Sequence, residues 1–220
     1  MSVWICIPSL RPNGGTLPAW KAAGYMVAAY TRLAFPCADM TILEEPGEYK
    51  GCAWAKNLLT RAVMKVDSEA EWFVYGGDDT LPDPAAPAQI SQECARHFGG
   101  TFGVMQPIGD LKHWPASRID RIAGSPWIGR EFARRSYAGN GPWCEYRHCW
   151  DDEELQLVAQ KLGVFWQRED LTHTHLHPQR PGGMLLEPAA QKAIDDSYLA
   201  ERALFRSRRD AGFPGHECIS

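Results

Sequence analysis

No stretch of about 18 apolar residues runs through this chain of 220 residues, so a membrane-spanning helix is not expected. Basic residues are not in excess. The 23 Lys and Arg are outnumbered by 27 Asp and Glu, giving a net charge of −4. That argues against a generic polyanion binder while leaving room for local basic patches. The seven cysteines are odd in number and irregularly spaced, so they suggest no disulfide framework. A basic n-region followed by an h-region is missing at the start of the chain, so no signal peptide is expected. Internal repeats and low-complexity segments are missing too. With 45% hydrophobic and 23% charged residues, the profile is that of a soluble globular protein of a reducing, cytoplasmic compartment. The length favours one domain with a substantial core.

What is present is an ordered series of short apolar runs. Val3-Trp4-Ile5-Cys6-Ile7, ended by Pro8-Ser9, reads as a fully buried first strand. Residues 19–34 read as a helix, with Trp20, Ala23, Met26, Val27 and Tyr30 on one face. Met40 to Leu43 form a second strand that ends in Glu44-Glu45. From Gly51 to Lys65, Trp54, Leu58, Leu59, Ala62 and Val63 make an amphipathic helix, and Trp72 to Tyr75 follow as a strand. The order βαβαβ predicts a parallel sheet covered by helices. A helix over 85–98 and a strand over Thr101 to Met105 come next, then an irregular, aromatic-rich excursion over 107–150. A helix over 151–162, a short strand Val164-Phe165-Trp166, a polar helix near 187–206 and a loose tail complete the chain.

Three constellations carry chemistry. The first is Gly76-Gly77-Asp78-Asp79 directly after the apolar run Trp72-Phe73-Val74-Tyr75. Adjacent carboxylates at the carboxyl end of a buried strand lie where open α/β sheets bind ligands. Their mutual repulsion calls for a cation, and a hard divalent metal is the natural one. A plain surface turn explains the same residues almost as well. The second is Asp151-Asp152-Glu153-Glu154-Leu155 at a helix start. Asp151 as N-cap with Glu154 as capping-box partner is the plainer explanation; an aspartate pointing into a cleft as general base is the sharper one. The third is His173-Thr174-His175-Leu176-His177, whose alternation puts the histidines on one face of an extended segment. Cys144, His148 and Cys149 match zinc spacing only weakly, and buried structural cysteines are the better reading.

In their order along roughly residues 3–177, these elements resemble a compact glycosyltransferase of the GT-A fold, nearest the large family 2. Gly51-Cys52-Ala53-Trp54-Ala55-Lys56-Asn57 is similar to the helix start that the family writes G-x-x-x-A-R-N. Gly77-Asp78-Asp79 stands where the DXD metal motif belongs, and Asp151-Asp152-Glu153-Glu154-Leu155 with Leu162-Gly163 resembles the E-D-x-D-L…G segment. The resemblance implies a mixed, mostly parallel α/β sheet flanked by helices in a single catalytic domain over 1–183. Residues 1–106 would form its nucleotide-sugar half and 107–183 its acceptor half, with 184–220 a C-terminal helix and tail. It implies Mn²⁺ or Mg²⁺ held by Asp79, with Asp78 and either His173 or His175 as further ligands. Pro8, Ser9, Arg11, Glu45, Lys56, Asn57 and Asp78 would contact a nucleotide-diphosphate sugar, foremost a UDP-sugar. Asp152, with Asp151 beside it, would be the base of an inverting transfer. Gly77 departs from the family by standing where the first carboxylate is expected.

The acceptor is expected over the irregular region. Lys112, Arg118, Arg121, Arg130, Arg134 and Arg135 make it locally basic, and Trp114, Trp127, Tyr137, Trp143 and Tyr146 are interleaved or adjacent. Such a wall suits a soluble polyanion, of which a hydroxymethylated base in phage DNA is one case. A bacterial glycan or small molecule is the alternative acceptor. A nucleotidyltransferase and a non-catalytic nucleotide-sugar or nucleic-acid binding module are the competing functions.

Overall fold

A computed structural model describes residues 2–9, 11, 13–45, 47, 49–109, 124–144, 146–176, 183–185 and 188–216. Its centre is strand β1 (Ser2–Ser9), flanked in parallel by β2 (Met26–Thr31) and β4 (Ala70–Tyr75). Together with β3 (Met40–Leu43), β6 (Val104–Pro107), β7 (Trp127–Gly129) and β8 (Phe165–Arg168) they form a seven-stranded sheet in the order β3-β2-β1-β4-β7-β6-β8. Only β7 runs against its neighbours, pairing antiparallel with both β4 and β6. A second, two-stranded sheet joins β5 (Thr80–Leu81) to β9 (Thr174–His175).

Strand period decides which core each side chain enters. Along β1, Trp4 and Cys6 enter one core with Ala28, Tyr30, Phe73 and Tyr75. Val3, Ile5 and Ile7 enter the other with Val27, Ala29, Trp72 and Val74. Helix α2 (Cys52–Val66) covers the first face, joined by α4 (Arg130–Arg135) and α5 (Asp151–Lys161). Helices α1 (Leu17–Ala22) and α3 (Pro87–Phe98) cover the second. The mixed, mostly parallel sheet flanked by helices is therefore as expected.

Two expectations need correction. The helix over 19–34 stops at Ala22, and Met26–Thr31 is a strand. Gly24, at φ 91°, breaks the helix, and the next residues are buried on both faces of a central strand, so no polar alternation betrays it. The loose tail is also not loose as far as it is described. Helix α6 (Pro188–Asp210) inserts Phe205 into the first core, and Phe213 follows it there. Among the described residues no helix is long and apolar enough to cross a membrane.

Candidate active site

The carboxyl ends of β1 and β4 lie side by side, and the chain leaves β4 through Gly76-Gly77-Asp78-Asp79. The Thr80 amide closes this turn on the Gly77 carbonyl at 3.1 Å. Asp78 points toward β1, where it accepts hydrogen bonds from Ser9 Oγ at 2.7 Å and Arg11 Nε at 2.9 Å. Its carbonyl accepts the Thr16 amide at 2.9 Å. Gly15, at φ 57°, allows that approach, since a Cβ there would stand 2.0 Å from the Asp78 carbonyl oxygen. Arg11 also donates to the Leu185 carbonyl at 2.9 Å, tying the 183–185 segment over this corner.

Asp79 points the other way. It is 7% exposed, and its Oδ1 stands 3.3 Å from His175 Nε2. The β5–β9 pairing, Thr80 opposite His175, produces this approach, and the Leu176 amide donates to the Asp79 carbonyl at 2.7 Å. The unexpected glycine now has a reason. A Cβ on Gly77 would lie 2.2 Å from Asp79 Oδ1, so the Asp79 carboxylate occupies the space that a side chain at 77 would need. His173 is placed elsewhere, 2% exposed, edge-on to Trp20 and accepting from Trp127 Nε1 at 3.4 Å. Burial pushes its pKa down to about 4, so it is a neutral core residue at neutral pH. His177 lies outside the described residues. Glu45 is exposed beyond β3, and Pro8 is half-buried at the end of β1.

The second acidic pair sits at the start of α5, facing the first turns of α2. Lys56 Nζ stands 3.0 Å from Asp151 Oδ2 and 4.0 Å from the Trp143 ring centre. Burial alone would lower the lysine pKa, but Asp151 reverses this and holds it above its ordinary value. Asp152 has no such partner. Its Oδ1 accepts only the neighbouring Glu153 amide, at 2.9 Å, among the described hydrogen bonds. Burial, then the charge of Asp151, push its pKa up to about 6. That is the range in which a carboxylate works as a base near neutral pH. Trp143 connects the two corners. One contact is with Lys56, and another is edge-on with Tyr75, the last residue of β4, at 5.1 Å.

Neither helix-capping expectation holds. Trp150, at φ 74°, is the N-cap, and Asp151 is the first helical residue. Glu154 is fully buried and accepts from Tyr137 Oη at 2.5 Å, Tyr146 Oη at 2.6 Å and Arg208 Nη2 at 2.7 Å. Arg208 lies 54 positions away, which is why local spacing does not reveal the network. Asn57, expected at the donor, is consumed by the backbone: it donates to the Trp143 carbonyl at 2.8 Å and accepts the Trp143 amide at 3.1 Å.

The basic aromatic wall is mostly structural where it is described. Arg130 donates to the carbonyls of Met64, Asp67 and Ala70, while Arg134 and Arg135 pair with Glu131. Trp127, Trp143 and Tyr146 are buried. Lys112, Trp114, Arg118 and Arg121 lie outside the described residues. The six described cysteines are free thiols.

Among the described residues no group of three His, Cys, Asp or Glu side chains is assembled for a metal. Asp79 and His175 nevertheless fit one as a pair. Two donors adjacent on an octahedral ion with bonds of about 2.1 Å stand roughly 3 Å apart, close to the 3.3 Å found. Mg²⁺-like ions complete such shells with water and substrate phosphates.

No protein-family model matches this chain, and no curated protein does. Similar solved structures exist at low identity. A mutant of Drosophila β1,4-galactosyltransferase 7, in complex with manganese, UDP-Gal and xylobiose, is 10% identical. It is matched over 87% of this chain and 79% of that one, with a TM-score of 0.47. A glycosyltransferase involved in glycosylation of the major capsid of PBCV-1 is 10% identical over 82% of this chain and 95% of that one, at 0.41. A nucleoside-diphosphate-sugar pyrophosphorylase from Vibrio cholerae is 14% identical over 76% of this chain and 91% of that one, at 0.40. Scores below 0.5 lend no weight to any one activity, which has to come from the residues of the site.

Proposed function

We propose that this chain is a metal-dependent glycosyltransferase of GT-A type that moves a sugar from a nucleotide-diphosphate sugar, foremost a UDP-sugar, to an acceptor hydroxyl with inversion. One observation carries the proposal: two adjacent-aspartate pairs are linked through Trp143, which touches both Lys56 and the last residue of β4, and in each pair a cation satisfies one member and leaves the other for chemistry. Arg11 takes Asp78 and Lys56 takes Asp151.

Asp79 and His175 would hold Mn²⁺ or Mg²⁺, and that ion, when bound, offsets the negative charge that grows on the departing diphosphate. Ser9, Arg11 and Asp78 shape the end of β1 where the nucleotide would lie. Lys56 presents a fixed positive charge, kept protonated by Asp151. Asp152 takes the proton of the acceptor hydroxyl as its oxygen bonds to the anomeric carbon, while the bond from that carbon to the diphosphate oxygen breaks on the opposite face. A base titrating near 6 is ionised at neutral pH and still basic enough to accept a proton in the transition state.

Mixing the protein with UDP-sugars and Mn²⁺, with and without acceptors, tests this. Metal-dependent release of UDP is expected, and NMR of the product should show the anomeric configuration inverted. A retained configuration would remove Asp152 from the role of base, and no turnover of any nucleotide-sugar would remove the class. The acceptor arms should include hydroxymethylated DNA, whose remaining support is Lys112, Arg118 and Arg121, alongside oligosaccharides. Transfer of a nucleotidyl group instead of a sugar would favour the pyrophosphorylase-like chemistry.

A further inference from the structure

A cleft of about 730 Å³ opens beside the Lys56–Asp151 corner, between α2, the 137–146 segment and α6. The size is that of an ordinary small-ligand site. Its α2 wall is a helical stripe of Trp54, Asn57 and Arg61, spaced three and four residues apart, and Lys50, just before the helix, extends that wall. Trp143 belongs both to this cleft and to the contact with Lys56. The cleft thus borders the site where the acceptor hydroxyl would meet Asp152.

The electrostatics of the walls are one-sided. Lys50, Arg61 and Arg208 line the cleft, and no Asp or Glu is among its described lining residues. Arg208 is neutralised from behind by the buried Glu154. Arg61 donates to a neutral carbonyl, that of Asn140, at 2.5 Å. Lys50 is exposed, with its ammonium 5.9 Å from the Trp54 ring centre. Two cations therefore face the cleft without a described carboxylate partner. Aromatic rings from Trp54, Tyr137 and Tyr146 share the same walls, and flat rings beside cations suit a sugar ring that carries an anionic group.

The wall is also rigid where it touches the ligand space. Tyr137 and Ala138 are both left-handed, at φ 44° and 56°. Non-glycine residues hold that conformation only where the surroundings enforce it. The enforcement is visible. Tyr137 Oη donates to buried Glu154, its ring packs edge-on against His216 at 4.2 Å, and its amide donates to the Gly215 carbonyl at 3.0 Å. Tyr146 and Arg208 reach the same carboxylate. Three residues of the cleft wall are thus tied to one buried anion, which preorganises the surface.

We infer that this cleft binds an acidic oligosaccharide, with Lys50 and Arg61 taking its carboxylates and Trp54 and Tyr137 its ring faces. As an acceptor site it rests on the transferase reading above; as a binding site it stands alone. The test is equilibrium binding without donor or metal, using fluorescently labelled trigalacturonate, its fully methyl-esterified form and a single-stranded oligonucleotide of equal charge. Trigalacturonate should bind, and both the ester and the oligonucleotide should bind at least tenfold more weakly. Lys50→Glu should weaken trigalacturonate binding at least tenfold. Lys50 is exposed, and a thermal melt checks that the variant keeps its fold. Arg61→Gln should weaken binding by several-fold. Failure of the parent protein to bind trigalacturonate, equal binding of the ester, equal or tighter binding of the oligonucleotide, or indifference to Lys50→Glu would each overturn the inference. UDP release from a nucleotide-sugar by the parent protein is a separate readout. Binding without UDP release would preserve the cleft and sink the transferase, and the converse would do the opposite.

Discussion

Asp78-Asp79 and Asp151-Asp152 are the same dipeptide in two settings, and the settings give the four carboxylates different partners. In each pair one residue meets a cation at nearly the same distance, Asp78 to Arg11 at 2.9 Å and Asp151 to Lys56 at 3.0 Å. The partners of those two differ. Asp79 leaves its turn to face a histidine, which in the proposed site would be a second donor for a shared ion. Asp152 is the second residue of a helix, half-buried, with burial and a neighbouring anion raising its pKa to about 6. Adjacent aspartates are thus suited to a binding corner where a strand pair brings a histidine beside one of them, and to proton acceptance where a helix start supplies only burial and like charge.

Substitutions can break the comparison, beginning with the largest effect. Asp152→Asn should cut sugar transfer by about 10³-fold, the usual worth of a positioned base, while metal-dependent donor binding survives. The same change should raise stability at neutral pH. A carboxyl whose folded pKa lies above its ordinary 3.8 gives stability that is full below 3.8 and is lost as pH rises through about 6. Removing the charge should restore about 3 kcal/mol at pH 7 and nothing at pH 3. Denaturant melts at the two pH values check this; an unchanged or lower midpoint at pH 7 would show that Asp152 is not held against its ionisation. In the parent protein kcat/KM for the proposed transfer should fall as pH drops below about 6, where Asp152 gains its proton.

Asp79→Asn should weaken Mn²⁺-dependent donor binding by roughly 100-fold or more, since loss of even a supporting group at a metal site costs 10- to 100-fold. Calorimetry with UDP and Mn²⁺ measures it, and an undiminished affinity would move the metal away from this corner. Lys56→Met should cost about 3 kcal/mol by leaving Asp151 buried without its cation. Because Lys56 lowers the Asp152 pKa, the acid limb of the kcat/KM profile should also move upward. A stability loss with no movement of that limb would confine Lys56 to a structural role. Asn57→Ala is the mildest, at about 2 kcal/mol for two buried hydrogen bonds to the Trp143 backbone. A change in donor affinity larger than the change in stability would return Asn57 to the nucleotide.

The order of apolar runs and acidic turns was legible because strands buried on both faces, and the breaks that follow them, are written in contiguous residues. Ile5, Val74 and the Gly76-Gly77 stop place the first constellation at a strand's end with no three-dimensional information. Short-range patterns failed where the deciding partner is distant. Met26–Thr31 read as helix because Trp20, Ala23, Met26, Val27 and Tyr30 fall at helical spacing, and only pairing with β1 and β3 makes it a strand. Trp127–Gly129 is three residues long, too short to show a period, and it is a strand because β4 and β6 flank it.

The site divides in the same way. Residue types and their spacing determined that two aspartate pairs, a lysine and alternating histidines lie near the ends of elements, since each of those features spans only a few residues. Which aspartate stays free, that His175 and not His173 approaches Asp79, and that Asn57 and Glu154 hold structure were settled by folding. Those outcomes depend on contacts 54 to 96 positions apart, from Arg208 with Glu154 to Asp79 with His175, and on burial that only the closed core imposes.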